Sequence, residues 1–257
     1  MTKIISIHSF RGGTGKSNLT ANLAAAIALQ GCRIGIMDTD IQSPGIHVLF
    51  GLDETTISRS LNDFLWGNCT ISEAAYNVTP ESIASQNGSI YLIPSSIKAG
   101  EIARILNEGY SVGLLNDGVR QLCQSLSLDY LLIDTHPGLN RETLLSIAIS
   151  DALIIILRPD RQDFQGTAVT LQVARKLDTP EMSLVINKVL PSYDFKLVQE
   201  QIEQKFQVPI SGIFPLTEDM VQLASDGIFC LEYIDHPYTR EVYKVAEYVK
   251  GRMRDEG

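Results

Sequence analysis

The sequence predicts an α/β fold: a doubly wound, mostly parallel sheet of seven or eight strands flanked by helices. Three observations predict it. Short, continuously apolar runs recur along the chain, helical patterns separate them, and the first run leads through a glycine-rich loop into a helix. Continuous apolar strands are buried on both faces, which requires helices on each side of a parallel sheet. No repeat, low-complexity tract or linker interrupts residues 1–257, so a single domain is expected, with ligands at the carboxyl ends of its strands.

The elements follow in order. Residues 3–9 (KIISIHS) read as a buried strand, followed by the glycine loop and a helix through NLTANLAAAIALQG that stops at Gly31. A second strand covers 33–38 (RIGIMD). After a turn-rich stretch, 90–96 (IYLIPSS) forms a third. Strands at 129–135, 152–157, 183–189 and 208–214 come next, with helices at 163–177 and 194–206 among them. A last helix at about 239–254 puts Val242, Val245, Ala246, Val249 and Met253 on one face. Arg240, Lys244, Lys250 and Arg254 lie opposite, with Glu247 among them.

Composition excludes several classes. A net charge of −9 opposes a large nucleic-acid face. Cys32, Cys69, Cys123 and Cys230 are scattered, with no C-x-x-C and no histidine pair beside them, which opposes a zinc or redox site. No apolar run is long enough to span a membrane, and MTKIISIHSF is too short a stretch for a signal peptide. A cytoplasmic protein with reduced thiols is expected.

The loop SFRGGTGKSN carries the chemistry. A strand, a glycine-rich turn and a helix start together form a phosphate cradle: Gly12, Gly13 and Gly15 admit phosphate oxygens to the backbone N–H groups. Lys16 reaches the β- and γ-phosphates, and the Ser17 hydroxyl suits Mg²⁺. Phe10 occupies the place of the first glycine in the usual phosphate-loop pattern. Arg11, a bulky cation before two glycines, is also unusual.

RGGTGKS resembles the deviant Walker A box of the ParA/MinD superfamily of P-loop ATPases, in which a lysine stands where Arg11 does. MDTDIQSPG (37–45) is similar to that family's D-x-D segment, LLIDTHPGL (131–139) to its Walker B and switch II, and FPLTEDMVQLASDG (214–227), more loosely, to the segment closing over the base. The resemblance spans almost the whole chain and implies a P-loop NTPase fold that binds ATP and Mg²⁺. It implies that Thr14 and Asn18 join the loop's contacts with the nucleotide. The carboxylate of Asp40 would position the attacking water, with Asp38 near the phosphates and metal and Asp134 as a Mg²⁺ partner. The Gly138 amide would meet the γ-phosphate, and Asn187 and Pro215 would contact adenine. His136 departs from the family pattern and is read as an exposed loop residue with no role.

In the resembling family two subunits sandwich two ATP molecules, and each distinguishing lysine crosses to its twin's nucleotide. Arg11 would then act as an arginine finger in trans. The alternative pairs Arg11 with a surface carboxylate and leaves the task to Arg158 or Arg161. The expected function is an ATP-hydrolysing switch, slow and partner-stimulated, that dimerises with ATP to position or partition a cargo. Non-specific DNA is one candidate surface for it; the C-terminal pattern argues against membrane. Two other readings are a metabolic enzyme resembling the nitrogenase iron protein and a weakly hydrolysing adaptor.

Overall fold

The computed structural model describes residues 1–252; Met253 and Arg254, expected on the last helix, lie outside the described residues. β1 (Lys3–His8) runs through the glycine loop into α1 (Lys16–Ala28) and on to β2 (Arg33–Asp38). A 3₁₀ turn (Ile46–Phe50), α2 (Leu61–Leu65), β3 (Tyr76–Asn77) and α3 (Glu81–Ala84) occupy the turn-rich stretch before β4 (Ser89–Ile93). Next come α4 (Ala99–Glu108), α5 (Val112–Ser125) and β5 (Tyr130–Asp134). Helix and strand then alternate through α6 (Arg141–Ala148), β6 (Ala152–Leu157), α7 (Arg161–Lys176), β7 (Glu181–Val189), α8 (Phe195–Phe206) and β8 (Ile210–Pro215). The helices α9 (Glu218–Gln222), α10 (Phe229–Glu232) and α11 (Pro237–Arg252) follow.

The eight strands form one sheet in the order β3-β4-β2-β5-β1-β6-β7-β8. All neighbours are parallel except β3 and β4. Seven strands coincide with the apolar runs to within a few residues, the usual uncertainty of element ends. The eighth, β3, is two residues long and too short for any periodicity to mark it.

β6 explains the two-sided burial. Every residue of ALIIIL is buried. Ile154 and Ile156 join a core with α1 and α11, whereas Leu153, Ile155 and Leu157 pack on the other face with α7 and α8. Each such side chain contributes roughly 1.5–3 kcal/mol of burial, so the sheet holds only with helices on both sides. α11 turns Val242, Val245, Ala246 and Val249 into the core, against α1 and β8. On its outer side Lys244 pairs with Glu241 and Lys250 donates to Gln30 Oε1, which uses part of the expected basic stripe locally. No described helix is long and apolar enough to cross a membrane.

The order of strands positions the site. β1 sits centrally between β5 and β6, with β2 one strand further out. The carboxyl ends of these strands therefore converge around the glycine loop.

Candidate functional site

The loop between β1 and α1 encloses a cavity of about 370 Å³, lined by Ser9, residues 12–18, Asp40, Ser43, His136 and Pro137. Gly15 caps α1 in the left-handed region (φ 98°), and a Cβ there would come within 2.5 Å of Asn187 Nδ2. Glycine is thus required by both conformation and space. The first N–H groups of α1 have no intrahelical partners and sit at the positive end of its dipole, facing this cavity. A larger groove of about 590 Å³, between α7 and α8, offers mainly apolar walls such as Tyr193, Leu197 and Ile202 and no converging phosphate donors.

The floor of the loop is a buried charge cluster. Asp38 and Asp134 stand side by side at the ends of β2 and β5, paired in register. Lys16 Nζ donates to Asp134 Oδ1 at 2.8 Å and lies 3.9 Å from Asp40 Oδ2. Thr20 Oγ1 also donates to Asp134 Oδ1. Asp38 Oδ1 accepts the Asp40 N–H at 2.9 Å, an Asx-type bond that sets the turn after β2. Three carboxylates share one lysine, and Asp38 Oδ2, Asp134 Oδ2 and Thr14 Oγ1 are buried without a hydrogen-bond partner. Burial, then the neighbouring Asp134, pushes the Asp38 carboxyl well above its usual range, with Lys16 opposing.

Beside this floor, His136 Nδ1 lies 2.6 Å from Asp40 Oδ1, and its side chain is only 19% exposed. The reading of His136 as an exposed loop residue is therefore corrected: the turn after β5 carries it back over the turn after β2. Beneath the loop, buried His8 bonds Thr135 Oγ1 through Nδ1. Burial, followed by the charges of Lys16 and His136, lowers its pKa to about 3.

The rim differs. Arg11 lies 3.4 Å from Asp163 and 3.7 Å from Asp160, at the start of α7, and remains 38% exposed. Arg158 binds the same two carboxylates, at 3.1 and 3.3 Å. Phe10 explains this placement. Its ring lies against Gly166 of α7, where any Cβ would collide with it, so the residue that breaks the usual glycine pattern anchors the loop to α7.

A family profile described as an AAA domain (AAA_31) matches residues 2–202. The chain belongs to the ParA/MinD superfamily of P-loop ATPases. An iron-sulfur cluster carrier protein of Methanocaldococcus jannaschii is 31% identical over 275 residues, which cover 98% of this chain and 88% of that protein. An ATP-binding protein of the same organism is 27% identical over 252 residues, covering 98% and 89%. The septum site-determining protein MinD of Pyrococcus horikoshii, solved with Mg-ADP, superposes with a TM-score of 0.82 at 22% identity, covering 97% and 96%, a likeness of fold.

In this ParA/MinD-type chain Ser17 and Asn18 line the cavity with the loop glycines. Gly138 (φ 84°) donates its N–H to Ser9 O at 3.1 Å and is not part of the cavity lining. Asn187 donates Nδ2–H to Thr14 O at 2.8 Å and so braces the loop, with a second N–H on that nitrogen. Pro215, at the end of β8 and opposite Val189, also stands outside the cavity lining. Arg161 opens α7 and is exposed.

Sequence reading missed three participants. Lys188 adopts a left-handed conformation (φ 60°) and donates Nζ–H to Gly13 O at 2.8 Å. Asp160 and Asp163 hold the two arginines. Asp160, whose side chain accepts the N–H groups of Gln162 and Asp163, was legible as a helix cap but not as an ion-pair partner.

Proposed function

We propose that this chain is an ATP-driven switch of the cytoplasm: two copies close around two Mg·ATP, hydrolyse slowly, and release each other when a partner protein accelerates turnover. The carrying observation is the buried floor, where three carboxylates surround one lysine and two buried carboxylate oxygens lack partners. That donor set fits a hard divalent cation. Ser17 would hold it directly, with Asp38 and Asp134 through its waters, and it would neutralise β- and γ-phosphate charge.

The loop amides and Lys16 take the triphosphate, with Lys16 exchanging Asp134 for phosphate oxygens. Asp40 accepts a hydrogen bond from the attacking water. The water oxygen bonds to the γ-phosphorus, the bond to the β–γ bridging oxygen breaks, and its electron pair leaves with ADP. The water's proton passes to phosphate or solvent. Gly138 trades Ser9 O for the γ-phosphate, and Asn187 and Pro215 border the adenine. Arg11 leaves Asp163 and Asp160 and crosses to the partner's γ-phosphate. Arg158 stays behind to neutralise Asp163, so release of Arg11 strands no buried charge.

A second reading, a carrier or reductase with an iron–sulfur cluster, takes support from the name of the 31%-identical relative. The cysteines favour the switch instead. Cys230 is buried, donates to Asn22 O, and is pushed up to about 12 by burial. Cys32 stands at the amino end of β2, Cys69 after α2 and Cys123 within α5, and none of them lines the cavity at the glycine loop. The cargo surface can be DNA or protein.

Sedimentation with Mg²⁺ and a non-hydrolysable ATP analogue tests the switch. Wild type becomes a dimer, while Arg11→Ala binds the analogue and stays monomeric. A wild type that remains monomeric, or an Arg11→Ala chain that dimerises normally, contradicts it.

A further inference from the structure

The contact between His136 and Asp40 does more than fill space. An ionised carboxylate only accepts hydrogen bonds, so the 2.6 Å contact puts the proton on His136 Nδ1, donating to Asp40 Oδ1. The Ser43 N–H also points at Oδ1, at 3.3 Å. Oδ2 has Lys16 at 3.9 Å as its charged neighbour. Asp40 and His136 both line the cavity at the glycine loop. The histidine is itself fixed: its carbonyl accepts Thr143 Oγ1–H at 3.1 Å, which ties the turn after β5 to the first turn of α6.

A carboxylate alone turns readily about its last torsion, presenting either oxygen. Here two donors hold Oδ1, which leaves Oδ2 as the oxygen nearest Lys16, in the cavity at the glycine loop. We propose that His136 is a positioning residue for hydrolysis: its Nδ1–H pins Oδ1 of Asp40 so that Oδ2 accepts the hydrogen bond of the attacking water. This rests on the ATPase reading, in which Asp40 orients that water. His136 touches neither water nor phosphate in this scheme and acts wholly through Asp40.

Single-turnover hydrolysis of Mg·ATP by the full chain, alongside affinity for a non-hydrolysable analogue, tests it with three variants. Loss of a charge-assisted hydrogen bond that sets a reacting geometry costs about ten- to a hundredfold in rate. His136→Ala is expected to lower kcat by that factor while analogue affinity stays within about twofold of wild type. His136→Asn, whose amide nitrogen stands near the place of Nδ1, is expected to recover most of the rate.

Wild-type kcat in His136→Ala, when Asp40→Ala abolishes turnover, overturns the positioning role alone. So does an Asn variant as slow as the Ala variant, or a parallel loss of analogue binding, which marks a merely structural part. If Asp40→Ala hydrolyses ATP at the wild-type rate, the reading of Asp40 falls and the positioning role falls with it.

Discussion

Two carboxylate clusters flank the glycine loop, and they are built on opposite principles. On the floor, Asp38, Asp40 and Asp134 are buried and share one lysine. At the rim, Asp160 and Asp163 face two guanidinium groups, one of them 38% exposed. The floor is short of positive charge in a place where water cannot supply the screening. The rim is balanced and only partly covered: Asp163 is buried, while Arg11 and Asp160 reach solvent. A region short of positive charge receives a cation; one whose carboxylates are both held by a second arginine, Arg158, can release the first. The pair teaches how one loop can both take up Mg·ATP and lend an arm to a second copy.

The comparison breaks first at Lys16. Its removal leaves Asp134 buried beside Asp38 with no cation, and breaking a buried pair costs roughly 3–5 kcal/mol. Lys16→Ala is expected to lose stability of that order in urea unfolding without nucleotide, and to lose hydrolysis. A change below about 1 kcal/mol, the range of exposed pairs, would place the floor in the same class as the rim.

His8 sharpens the comparison through pH. Its pKa falls from 6.5 to about 3 in the folded chain, mainly from burial and then from the charges of Lys16 and His136. Between those values the unfolded chain binds a proton that the folded chain does not. The stability contributed by the neutral imidazole is therefore complete above 6.5 and is lost as pH falls toward 3. Denaturant unfolding from pH 7 to pH 4, run on wild type and His8→Leu, should show the wild type losing a few kcal/mol more than the variant. Equal slopes would mean that folding does not hold His8 in its neutral form. The smallest effect belongs to the rim: Arg11→Ala is expected to change stability by less than about 1 kcal/mol, because Arg11 is partly exposed and Arg158 still pairs with both carboxylates. A larger loss would make Arg11 a structural brace rather than a releasable arm.

What could be read in advance divides along the same line. The loop was legible because its chemistry is contiguous: glycine spacing, Lys16 and Ser17 occupy successive positions at a helix start, and chain geometry alone arranges them. The seven longer strands were legible from their unbroken apolar runs. The pair of Asp40 and His136 is 96 residues apart, and that of Arg11 and Asp163 is 152 apart, so only the order of strands brings each together. Phe10 looked like a defect in a phosphate loop until Gly166, on another helix, supplied the space for its ring. Lys188 gave no signal either, since a lysine after a strand resembles any solvated turn residue.

Mixing two inactive chains tests the central claim most directly. Asp40→Ala supplies Arg11 but lacks the water-orienting carboxylate, and Arg11→Ala has the reverse defect. If Arg11 acts across the dimer, the mixture assembles one complete site per mixed pair and regains ATP hydrolysis that neither chain shows alone. If the mixture stays inactive at every ratio, although the two chains form mixed dimers on the nucleotide, the arm does not cross and the switch is not built as described.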